Sequence, residues 1–168
     1  EDIKLMQTDY ARFSNKDARL PRTDRPFPLL PLEADPPDHT GYRLLIAPSF
    51  APRVIAAVEE YVRTVAIEIV ESLAPQGKCE FVQDFAKVLP ITVFLRMMDL
   101  PVEDRHELLP YAEAIAREKD QSKANAARVK VGEYLSRWIS ERTEKPGDDA
   151  ISKIATASIK GRQLSREE

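Results

Sequence analysis

Only two histidines occur in the 168 residues, and one of them, His39, stands four positions ahead of Arg43 in the stretch ADPPDHTGYR, residues 34–43. On a helix, positions i and i+4 share one face about a turn apart, so an imidazole and a guanidinium at this spacing converge on one group. Such donors suit a carboxylate, and each hydrogen bond to an ionised partner contributes about 1.5–3 kcal/mol. The nearest acids, Asp35 and Asp38, read as helix-start material. Asp35 is placed to be an N-cap ahead of Pro36 at the first helical position, and Asp38 falls in the first turn, where the helix dipole favours an acid. Spacing alone leaves two possibilities: a structural salt bridge with a local acid, or a pair aimed at an anion from outside the chain.

The other chemically capable residues read more plainly. His106, between Arg105 and Glu107, is expected to be a solvated surface histidine. Cys79 is the only cysteine and has no second Cys or His at metal-ligand spacing, so it is expected to be a small half-buried side chain. The pair Met97–Met98 reads as core filler. No GxGxxG, P-loop, HExxH or Gly-x-Ser-x-Gly pattern occurs.

The elements that must position these residues follow helical periodicity. A short helix is expected over 2–9, then the loop ARFSNKDAR. Residues 17–34 carry four prolines, which fix φ and remove donors, so this stretch is expected to be irregular. It nevertheless holds Leu20, Phe27, Leu29, Leu30 and Leu32, and a loop that apolar must cover something. A helix from Asp35 to about Ala47 is stopped by Pro48, and Pro52 opens a long amphipathic helix over 52–74. PQGKCEFV reads as a turn at Gly77 with a short strand-like segment after it. Residues 82–99 read as one central, buried helix, ended by Pro101. A helix over 103–118 is bent near Pro110, and a polar break, EKDQSKAN, precedes a helix over 123–143 with Val131, Tyr134, Leu135, Trp138 and Ile139 inward. EKPGDD forms a turn, DDAISKIATAS a short helix and IKGRQ a tight turn at Gly161, while LSREE reads as the opening of another helix.

Composition fits one globular unit: 43% apolar residues, 32% charged and a net charge of −3. The acidic balance argues against nucleic acid as partner. The longest apolar run, Val88–Leu95, is interrupted by Pro90 and Thr92 and is far short of a membrane span. The acidic start does not resemble a signal peptide, and a lone cysteine suits a reducing compartment, so a cytoplasmic location is expected. The chain begins at Glu1 and closes on a polar REE, and it is expected to be an incomplete single domain, 1–168, of something longer.

DPPDHTGYRLLIAPSFAPR resembles the C-helix region of the bacterial cytochromes P-450, the heme-thiolate monooxygenases. The similarity continues in order through FS at 13–14, SLAPQGKCEFVQDFAKVLPI, the segment DLPVEDR, the turn EKPGDDAIS and KGRQLSREE. It covers nearly the whole chain and is nearest in character to the camphor-hydroxylase-like class. It implies a mainly α fold of six or seven helices, partial, corresponding to the family's B to H helix region before the central long helix. His39 and Arg43 then match the positions that donate to a heme propionate, and Pro36–Pro37 sets where that helix begins. Phe27, Leu29 and Leu30 in the proline-rich loop, with Ile115 and Ala116 in the expected lid helix, would touch substrate, and the break at 119–124 would be the lid turn.

The same resemblance marks what this chain lacks: the iron-ligand cysteine loop, the helix with the acid–alcohol pair, and the E-x-x-R scaffold. Cys79 has none of the ligand loop's Phe and Gly residues around it and is not the iron ligand, so no metal or catalytic residue is assigned. The parent is expected to activate O2 and hydroxylate a small apolar organic substrate with electrons from a ferredoxin-type donor docking near Arg43 and Arg53. The chain alone is expected to be inactive. The rival is a heme-free, standalone helical ligand-binding or interaction domain.

Overall fold

The computed structural model describes residues 2–16 and 25–165. Leu20, Pro21 and the acids 167–168, and with them the start of the proline-rich loop and the end of LSREE, lie outside the described residues. Seven α-helices follow in order among those described: α1 Asp2–Thr8, α2 Asp38–Ile46, α3 Pro52–Leu73, α4 Val88–Met97, α5 Arg105–Arg117, α6 Gln121–Glu144 and α7 Ala150–Ala155. A two-stranded hairpin, β1 Ser158–Ile159 and β2 Arg162–Gln163, closes the described chain. The mainly helical expectation is met, and the tight turn at Gly161 is this hairpin's turn. Lys160 and Gly161 both take positive φ, 54° and 78°, as a two-residue type I′ connection requires.

Core packing follows the predicted stripes. Leu95 of α4 is fully buried and meets Leu100, Leu108 of α5, Tyr134 of α6 and Ile151 of α7. Val131, Leu135, Trp138 and Ile139 pack around it, and so does Met98, the core filler read from sequence. Burying a leucine of this kind contributes about 1.5–3 kcal/mol. Polar pins hold the same helices in place. The Tyr134 hydroxyl donates to Asp104 at 2.7 Å. Asp149 caps α7 by accepting from the Ser152 amide at 2.9 Å, and Arg142 at the end of α6 lies 3.3 Å from the same carboxylate.

Several expectations are corrected. The single helix over 82–99 is two pieces: a π-helical turn at Val82–Ala86, then α4. The Lys87 amide reaches the Val82 carbonyl at 3.1 Å, five residues back, so one extra residue sits in that turn. Nor is this segment buried throughout, since Val82 and Phe94 are exposed. The strand-like segment before it has no ladder partner and is not a strand. Asp35 does not cap α2 with its side chain: the helix runs from Asp38 with Pro37 at its cap, and no side chain caps it. Its carboxylate instead accepts from the Ser14 hydroxyl and, at 2.8 Å, from the Asn15 amide, tying the earlier loop to the helix start. α6 begins at Gln121, inside the expected polar break, because Asp120 caps it through the Ser122 amide at 2.9 Å. Cys79 is exposed rather than half-buried.

Candidate functional site

α2 starts where the chain leaves two prolines. The Asp35 carbonyl accepts from the His39 amide at 3.0 Å and the Pro37 carbonyl from the Gly41 amide at 3.4 Å, so His39 and Arg43 fall one turn apart on regular helix. His39 is half-buried and Arg43 exposed. The two local acids are engaged elsewhere. Hydrogen bonds from Ser14 and Asn15 are the main cause holding the Asp35 carboxyl below its usual range, with His39 the smallest contributor. Asp38 pairs with Lys160 at 3.0 Å. Among the described residues, no carboxylate forms an ion pair with Arg43. The donor set is therefore a guanidinium with up to five N–H groups one helical turn from an imidazole, chemistry that suits a carboxylate.

The expected substrate residues fall in two places. Phe27, Leu29 and Leu30 line a cavity of about 720 Å³ against α6, walled there by Val129, Gly132 and Leu135. Phe27 sits on Gly132, where a Cβ would come 3.1 Å from the ring, so the glycine admits the aromatic. Ala116 lines a separate cavity of about 460 Å³ between α4 and α5, with Pro90, Ile91, Phe94 and Leu108, while Ile115 lines neither. The structure thus does not bring Ala116 to the loop residues. Lys87 borders that second cavity and pairs with Glu113 at 2.6 Å. This pair escaped the sequence reading, although a lone cation at the head of the apolar run VLPITVFL is a legible signal. His106 is exposed, as expected. Among the described residues no cluster of acids, His or Cys is arranged for a metal, and no helix is long and apolar enough to cross a membrane.

Helix order, hairpin and the α2 start define a known architecture. The polyketide biosynthesis cytochrome P-450 PksS of Bacillus subtilis is 31% identical over 139 residues, covering 82% of this chain and 34% of its own length. The erythromycin C-12 hydroxylase of Saccharopolyspora erythraea is 30% identical over 176 residues, covering 99% of this chain and 44% of its own. A solved mutant of P-450 EryK in complex with erythromycin B superposes with a TM-score of 0.79 at 28% identity, over 99% of this chain and 44% of that one. No family model matches the chain. The chain belongs to the bacterial cytochromes P-450 and matches their fold over the part it spans. It spans between a third and a half of the length of these curated relatives.

Proposed function

We propose that this chain is the heme-embracing helical part of a heme-thiolate monooxygenase, in which His39 and Arg43 hold the acid arms of the heme. The observation that carries this reading is the α2 start: two N–H donors one turn apart, with the adjacent acids Asp35 and Asp38 occupied by other partners. The residues present fit the group by the chemistry of that donor set. When bound, heme supplies O2 activation. This chain's residues bind and orient it: Arg43 by a fork that matches two carboxylate oxygens, His39 by a single ring N–H. The iron-ligand cysteine is not among these residues, and Cys79, exposed and solitary, is not that ligand.

The reaction we assign to the whole protein is hydroxylation of a small apolar substrate by O2, with electrons from a ferredoxin-type donor, in the cytoplasm. The apolar substrate draws its support from the loop side of that cavity, where Phe27, Leu29 and Leu30 give a ring and branched carbons opposite Glu133 and Arg137 of α6. Arg53, exposed at the start of α3, is a candidate contact for an acidic donor protein. The test is heme retention by the full-length gene product. Arg43→Ala together with His39→Ala is expected to speed heme release, and the reduced, CO-bound parent to show a thiolate-type Soret band. Unchanged release in the double variant ends the assignment of these two residues. A product that takes up no heme favours the standalone binding domain instead.

A further inference from the structure

We propose that the β1–β2 hairpin positions His39 and Arg43, by seating Ile159 on the bare backbone of Gly41. The proposal rests on the heme-arm reading above. Gly41 lies between the two donors in sequence, but at about 100° per residue it sits about 200° around the helix from each, on the opposite flank. A Cβ at Gly41 would come 2.6 Å from Ile159 Cγ2, closer than packed carbons approach, so the hairpin touches α2 where a side chain is excluded. The next residue, Lys160, reaches Asp38 at 3.0 Å, so the hairpin grips the helix at a second point near its start. The type I′ turn at Lys160–Gly161 places both contacts on one short rigid ribbon. α2 is thus held from the flank opposite its two donors.

A local view and this positional view predict opposite outcomes for one substitution. Helix propensity says that Gly41→Ala improves α2. The Ile159 contact says that it pushes α2 off its seat and misdirects the donors. Release of heme from the full-length gene product to excess apomyoglobin separates the two views, with the melting temperature measured alongside. Gly41→Ala is expected to speed release about tenfold, the equivalent of one lost charge-assisted hydrogen bond. Ile159→Ala in the same background, which removes the clashing carbon, should restore slow release. Added to the His39→Ala, Arg43→Ala double variant, the glycine substitution should change release little further.

Unchanged release in Gly41→Ala, with faster release in Arg43→Ala, overturns the hairpin's role and leaves the heme-arm reading standing. Unchanged release in both His39→Ala and Arg43→Ala removes the heme-arm reading, and the positioning role falls with it. If Gly41→Ala does not fold, the paired variant decides: recovered, slowly releasing protein supports the contact, and continued failure overturns it.

Discussion

Tyr134 shows what a single side chain does here. It is buried in the core and donates to Asp104 at 2.7 Å, which joins α6 to the turn that opens α5. Burial, then the bond to Asp104, pushes its hydroxyl up to about 12 from an ordinary 10. A pKa raised on folding stabilises the native state below the unfolded value and loses that contribution as pH climbs through the folded one. Tyr134 therefore supports the fold fully at neutral pH and fades between about pH 10 and 12, by on the order of 2–3 kcal/mol. Tyr134→Phe is expected to cost about 1–3 kcal/mol at pH 7, because Asp104 loses its donor. It should also flatten that alkaline loss. Urea denaturation at pH 7 and pH 11 measures both, and a parallel alkaline decline in the variant contradicts the assignment. The residue chemistry was only partly legible in advance. Tyr134 was readable as inward-facing from its spacing with Val131 and Trp138, but its bond to Asp104 is a tertiary contact that no local pattern encodes.

Helix ends carry the argument at the scale of elements. Burial opposes ionisation of Asp149, yet the hydroxyl and amide of Ser152, and then Arg142, outweigh it and hold the carboxyl below its usual range. A lowered carboxyl stabilises above its unfolded pKa and loses that contribution as pH falls through the folded value. Asp149→Ala should therefore cost about 0.5–2 kcal/mol at pH 7 as a lost cap, and the deficit should shrink toward pH 3. Urea midpoints for parent and variant at the two pH values check it, and a deficit that persists in acid argues against an ionised cap. This cap was legible because Asp149 precedes a short apolar pattern and follows Pro146 and Gly147. The long helix α3 was legible too, since its apolar residues recur at threes and fours over 22 residues. Asp35 misled because a sequence Asp before Pro looks the same whether its side chain turns to its own helix or to Ser14 and Asn15. Periodicity also passed over the turn at 82–86, since one inserted residue leaves the apolar content of the segment intact.

The whole molecule leaves much apolar surface open. Ile67 and Val70 on α3, and Phe81 and Phe94 around α4, are 42–61% exposed, whereas self-sufficient soluble domains seldom expose large contiguous apolar patches. With the chain spanning 34% and 44% of two curated relatives, the 168-residue chain in isolation is expected to bind an apolar dye and to self-associate. Sedimentation with dye fluorescence tests this, and a dye-silent monomer argues that the chain needs no further partner for these faces. The family resemblance was legible because six short motifs kept their order over nearly the full length, but Gly41 offered no hint of Ile159 from the far end of the chain. The wide turn at Val82–Ala86 has a geometric consequence at this scale. One added residue offsets the downstream rod by about 100° of azimuth relative to an unbroken helix. Tightening that turn to ordinary α spacing with every residue kept would swing Lys87 away from Glu113 and Leu95 off the core, so the bearing of α4 is set by one surplus amino acid that the wide turn absorbs.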